Sequence, residues 1–296
     1  MVKITYHGLK NMSTRKIFLS FGCSHTAGSE IDGRGDSDYN RQHSYGAKLA
    51  EKFGYDEHLN FAICGGSNQR TFVLTTQVIN EIIHNETSLI PYNDAEYFLL
   101  IGWTSLNRFE LRYSDDNEYI YKLCGAAGEK VDQKLIPTCI GMSPQLINEK
   151  DLQRTAEFIP YITNPLIMAD YLASFAFSVQ QLCDLHGIKY YMFNAIENFH
   201  KTDGAHPKFT KDQNKDIVSH PEFQNYRPGN LNIYKHLDRT RYYHPDSYEL
   251  NYYRWCTNVK GHSNKSNKYW HLGEEAHQDW ADHIYPEIVN AYPDMG

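Results

Sequence analysis

Four short apolar runs punctuate the chain: KIFLSF (16–21), LNFAI (59–63), EYFLLIG (96–102) and IKYYMFN (188–194). Near-continuous apolarity over so few residues predicts strands buried on both faces, the first two closed by Gly22 and by Gly65-Gly66. The segments between them have helical spacing. Ser44 to Phe53 reads as one helix, and Asn68 to Ile83 as a second, with Phe72, Val73, Thr76, Ile79 and Ile83 in phase. Asn164 to His186 carries Met168, Leu172, Phe175, Val179 and Leu182 on one face and stops at Gly187. A last helix, Glu274 to Asn290, turns Trp280, Ile284 and Ile288 inward and opens with two glutamates suited to its positive end. Strands alternating with helices in this way predict a three-layer, doubly wound α/β fold with a mainly parallel, flavodoxin-like sheet.

The length, 296 residues, fits one enlarged domain over 1–296 with two insertions. At about 108–147, FELRY and EYIYKL flank Ser114-Asp115-Asp116-Asn117 and predict a hairpin. At about 195–267 periodicity disappears and proline, glycine, asparagine and tyrosine dominate, which predicts a long, irregular, aromatic-rich cap rather than a linker. Its aromatic residues suit two uses, packing against the sheet or stacking on sugar rings, and packing is the simpler.

Lys and Arg number 29 against 36 Asp and Glu, a formal charge of −7, which argues against nucleic acid as the main partner. No stretch approaches the roughly 20 apolar residues of a spanning helix, so no membrane partner is expected. The opening MVKITYHGLKNMSTRK lacks an apolar signal core, so no Sec-type export is expected and a cytoplasmic location is the expectation. Six dispersed cysteines with no C-x-x-C pair suit thiols in a reducing compartment, although Cys23 and Cys64, each at the end of a predicted strand, would come close. No histidine or cysteine spacing suggests a metal site, and no metal or organic cofactor is implied.

In an open parallel sheet, ligands bind beyond the carboxyl ends of the strands, where strand order reverses. Ser24, Gly65 and the 102–108 turn all follow predicted strands and should converge there, while His271, three residues before the last helix, is placed to close the cleft. Ser24 can serve as nucleophile, His271 as its base, and the N–H groups of Ser24 and Gly65 with the Asn107 amide as oxyanion donors. Competing motifs fail. GCSHTAGS lacks the Gly-Lys-Ser/Thr of a phosphate loop, and Thr26 occupies the last position of a G-x-S-x-G elbow. Arg108 is expected in a structural ion pair and His277 in packing.

These residues carry a resemblance. FGCSHTAG resembles the first block of the SGNH hydrolases, the GDSL esterase and lipase superfamily, NFAICGGSN the second, IGWTSLNR the third and HLGEEAHQDWADHI the last, in the family's order. The resemblance implies a serine esterase with Ser24 as nucleophile, Gly65 as second oxyanion donor and His271 as base. Three positions depart from the pattern. The family's acid stands three before the histidine, where this chain has Lys268; its third-block asparagine falls at Thr104, with Asn107 three residues later; and Cys23 replaces an aspartate. A Ser24–His271 dyad, with a carbonyl or an acid from elsewhere orienting the imidazole, is therefore expected. Trp-Thr-Ser after Gly102, with Arg108, resembles SGNH-like proteins of tailed phages, a resemblance that implies a virion-associated location as the alternative to a cytoplasmic one.

The expected activity is cleavage of an ester, an O-acyl or O-acetyl group on a carbohydrate, through an acyl-enzyme on Ser24. Lys268 motivates the rival reading, a catalytically silent glycan-binding or virion structural protein on the same fold. Acyl transfer is a third, since one dyad serves both reactions. Substrate identity and oligomeric state are not legible.

Overall fold

The computed structural model describes residues 14–33, 35, 37–92, 94–106, 108–112, 119–124, 165–196, 232–245, 247, 249–265 and 271–296. Their elements run β1 (Arg15–Gly22), α1 (Ser24–Ala27), α2 (Asp38–Gln42), α3 (Tyr45–Lys52), β2 (Glu57–Asn60), α4 (Asn68–His84), β3 (Ala95–Trp103), β4 (Arg108–Arg112), β5 (Tyr119–Cys124), α5 (Pro165–His186), β6 (Lys189–Asn194), β7 (Tyr242–Tyr243), α6 (Tyr252–Arg254) and α7 (Glu274–Ala291).

Five of the strands form one sheet in the order β2-β1-β3-β6-β7, and every pairing in it is parallel. The chain is thus an α/β protein with a parallel sheet, as its apolar runs predict. Counted within this sheet, the order is 2-1-3-4-5, whose reversal lies between β1 and β3. The β1–β3 ladder runs from Arg15↔Ala95 to Gly22↔Gly102, so its last rung pairs two glycines.

Alternation along the strands splits the core in two. Ile17, Leu19, Phe21, Leu99, Ile101 and Tyr190 face α4 and α5, together with Val78, Leu172 and Val179. Phe18, Phe98, Leu100, Tyr191 and Phe193 face α3 and α7, together with Leu49, Trp280, Ile284 and Ile288. Helices on both faces make three layers, and burial of each apolar side chain contributes about 1.5–3 kcal/mol. Asn85, in the left-handed region at φ 54°, ends α4, and Gly187 at φ 67° follows α5.

Several expectations need correcting. The second strand is Glu57–Asn60, earlier than LNFAI, because the edge pairing falls on four half-buried residues. Phe61 and Ile63 still donate to the Ser20 and Gly22 carbonyls at 2.8 and 3.2 Å, extending the chain along β1 without a ladder. The buried face of α4 includes Thr71 and Thr75, each bonded to a carbonyl four residues back, rather than Val73 and Thr76. Within the cap, Tyr242 and Tyr243 add a fifth strand that a two-residue run does not announce.

The two strands of the hairpin are present as antiparallel β4 and β5; its turn, 113–118, the rest of that insertion from 125 to about 147, and residues 197–231, 246, 248 and 266–267 of the cap lie outside the described residues. Of the cap's aromatic residues, Tyr242, Tyr243, Tyr252 and Trp255 are buried, so their rings pack rather than form an open platform. Among the described residues no helix is long and apolar enough to cross a membrane.

Candidate functional site

The site begins with two glycines. A Cβ on Gly22 (φ 153°) would lie 2.2 Å from Thr26 Oγ1, and one on Gly102 would lie 2.6 Å from the same atom. The Thr26 side chain therefore occupies space that only paired glycines leave open. Tyr45 Oη donates to Thr26 Oγ1 at 2.7 Å, which ties α1 to the helix layer behind the sheet. Ser24 is the first residue of α1, directly beyond the end of β1, and is almost fully buried. Cys23 before it is extended and buried, whereas Cys64 is exposed.

The turn after β2 approaches the same strand end. Gly65 adopts φ 69°, and a Cβ on Gly66 would lie 3.3 Å from the Gly22 carbonyl oxygen and 3.8 Å from Cys23 Cα. The turn after β3 is fastened to this one. Asn68, at the start of α4, accepts from the Thr104 N–H at 2.8 Å and donates to the Thr104 carbonyl at 3.0 Å. Arg108 Nη1 donates to the Gly66 carbonyl at 3.4 Å, which clamps the backbone of that turn. Three loops thus meet at the carboxyl ends of β1 and β3. Asn107 and Lys268 lie outside the described residues.

His271 comes to this place from the far end of the chain. Its ring meets that of His25, the residue after Ser24, edge to face at 5.2 Å between centroids. Its backbone carbonyl accepts from Lys265 N–H at 2.9 Å, and Gly273 caps α7 two residues on. The Nδ1 atom lies 3.0 Å from Glu30 Oε2, with the two side chains 11 % and 18 % exposed. Glu30 was not among the residues singled out from sequence, and no spacing marks it: it stands 241 positions from its partner.

A carboxylate on Nδ1 favours the imidazole tautomer with its proton there, leaving Nε2 as the basic nitrogen. The neighbouring histidines remain neutral. Burial, reinforced by His271, Arg108 and His277, holds His25 well below the usual histidine range. Burial likewise lowers His277 to about 3, helped by Lys48 and His271, and its Nδ1 accepts from the Tyr45 N–H at 3.2 Å. His277 therefore packs and orders α3, as expected of it. With its proton on Nδ1, the His271 imidazole can accept a further proton at Nε2.

Two cavities border other surfaces. One of about 660 Å³ lies beside β7 and the end of α7, lined by Tyr191, Tyr243, His244 and Glu287. Another of about 830 Å³ lies at the start of α7, between Lys48, His262 and Gly273. Neither is lined by Ser24 or His271. Among the described residues no three His, Cys, Asp or Glu side chains gather as metal ligands.

No curated protein matches the chain. A family model described as a family of unknown function (DUF6071) matches residues 28–210, a span that starts four residues after Ser24, contains Glu30 and Gly65, and ends before His271. That span is more than half of the sequence. The chain accordingly belongs to this family of unknown function, DUF6071.

Proposed function

We propose that the chain is an SGNH-type serine hydrolase that cleaves an ester, with Ser24 as nucleophile and His271 as general base. The observation that carries this reading is His271 lying against the turn that starts with Ser24, its Nδ1 engaged by a carboxylate. Ser24 Oγ attacks the ester carbonyl while His271 Nε2 takes its proton. The tetrahedral oxyanion is received by the N–H groups of Ser24 and Gly65, with Asn107 as a further donor proposed from sequence. The protonated imidazole returns the proton to the leaving alcohol, and water then releases the acid from Ser24 by the same steps in reverse.

The substrate class proposed is an O-acyl carbohydrate, for which the support is the likeness of the four sequence blocks to the SGNH hydrolases. Lys268 motivates the rival reading of a catalytically silent protein; the Glu30 carboxylate on His271 supports the hydrolase instead, by offering an acid from elsewhere in the chain. Turnover of an aryl acetate by the wild type but not by Ser24→Ala tests the reading. Equal turnover by both, or none by either with glycan binding intact, would overturn it.

A further inference from the structure

The backbone at Glu30 breaks a local rule at the point where its side chain meets His271. Glu30 has φ 68°, in the left-handed region that a residue with a Cβ rarely adopts, between Gly28 at 72° and Gly33 at 79°. A glycine would satisfy this turn with less strain, so the local conformation alone gives no reason for a glutamate there.

The surrounding loop holds the strained residue from both sides. Gly28 closes α1 so tightly that a Cβ on it would lie 2.4 Å from the Asn40 carbonyl oxygen. Buried Asn40 in α2 accepts from the Asp32 N–H at 3.0 Å and donates to the Gly35 carbonyl, while Ser37 caps that helix by accepting from Asn40 N–H at 3.1 Å. The Gly33 N–H donates to the Glu30 carbonyl at 3.2 Å.

We propose that Glu30 is the positioning residue of His271, an acid delivered by the loop after the nucleophile, and that Gly28 in this loop and Asn40 in α2 hold it there. The consequence for turnover rests on the hydrolase reading; the pairing itself does not. Among the described residues, the titratable groups near this imidazole include, besides Glu30, His25 from α1 and His277 from α7, both held neutral by burial, with Arg108 at the start of β4 acting on His25. Glu30 is then the negative charge that steadies the imidazolium formed when Ser24 is deprotonated.

The test compares wild type with Glu30→Gln, which keeps the shape and removes the charge, and with Glu30→Gly, which also relieves the backbone. Three quantities are read: the ¹⁵N shifts of the His271 ring, the pH profile of Ser24 labelling by a fluorophosphonate, and the melting temperature. Glu30→Gln is expected to alter the His271 ring shifts, to move the acidic limb of the labelling profile down by about one pH unit, and to slow labelling at neutral pH by roughly 100-fold. Glu30→Gly is expected to show the same losses with a melting temperature equal to wild type or about 2 °C higher, because a strained turn has been relaxed.

Ring shifts, limb and rate all unchanged in Glu30→Gln would overturn the proposal, whether or not the glycine variant folds. If the wild type fails to label at Ser24, the hydrolase reading falls, and the ring shifts alone decide the pairing: altered in Glu30→Gln they uphold it, unaltered they overturn it.

Discussion

Gly22 and Gly102 face each other on the last rung of the β1–β3 ladder, and the Thr26 side chain fills the space that their missing Cβ atoms leave. The first turn of α1, and with it Ser24, is thereby set by the sheet rather than by a free loop. This is the physical link between the strand pattern in the sequence and the chemistry proposed at its end.

Gly102→Ala puts a methyl 2.6 Å from Thr26 Oγ1 and 3.1 Å from both Phe193 Cζ and Tyr45 Oη. Overpacking of this kind destabilises by about 1–3 kcal/mol. We expect urea denaturation to show that loss, and Ser24 labelling to fall further than unfolding explains, because α1 must shift. Thr26→Ser, which keeps the oxygen bonded to Tyr45, should change labelling little.

Asn68→Ala removes two hydrogen bonds from the Thr104 backbone in a buried setting. Leaving such groups unpaired costs about 1–3 kcal/mol each. The expected outcome is a stability loss of about 2–6 kcal/mol, the sum for the two groups, together with faster amide exchange in residues 104–106, measured by hydrogen exchange. Exchange unchanged there would mean that other contacts hold the turn.

Acid should weaken the fold through two neutral histidines, buried His277 and half-buried His58. Burial holds both His58, bonded to Ser20 Oγ at 2.9 Å, and His277 down to about 3. In the unfolded chain each titrates near 6.5, so between about 3 and 6.5 the unfolded state binds the extra proton and stability rises with pH. Their contribution is complete above 6.5 and is lost as pH falls, at about 1.4 kcal/mol per pH unit for each histidine. Urea titrations between pH 7 and 4 should show that slope, reduced by one histidine's share in His58→Gln.

With an O-acetylated oligosaccharide as substrate, the proposed hydrolase releases free acetate in amounts equal to the acetyl lost. Product analysis by mass spectrometry checks the balance. Acetyl recovered only on a second sugar would identify an acyltransferase using the same serine and histidine.

Much of the architecture was legible because a sheet covered on both faces needs continuous apolar runs, as at Ile17–Phe21 and Tyr97–Ile101. The edges were not. The strand Glu57–Asn60 is polar and half-buried, so the apolar Phe61-Ala62-Ile63 beside it drew the expectation downstream. Ser24, Gly65 and His271 were legible as residues after strands or before a helix, positions that topology brings together. Glu30 was not, since its part depends on a left-handed backbone and on a partner brought up by the whole fold. Thr71 and Thr75 were missed on α4 because hydroxyls that bond their own helix can be buried without an apolar signature.

The proposal that Ser24 reacts with His271 as its base is tested most directly by mapping a fluorophosphonate adduct by mass spectrometry in wild type, Ser24→Ala and His271→Ala. A single adduct on the Ser24 peptide, absent from Ser24→Ala and formed roughly 1,000-fold more slowly in His271→Ala, is the expected result. An adduct on another residue, or labelling that persists at the wild-type rate in either variant, would contradict it.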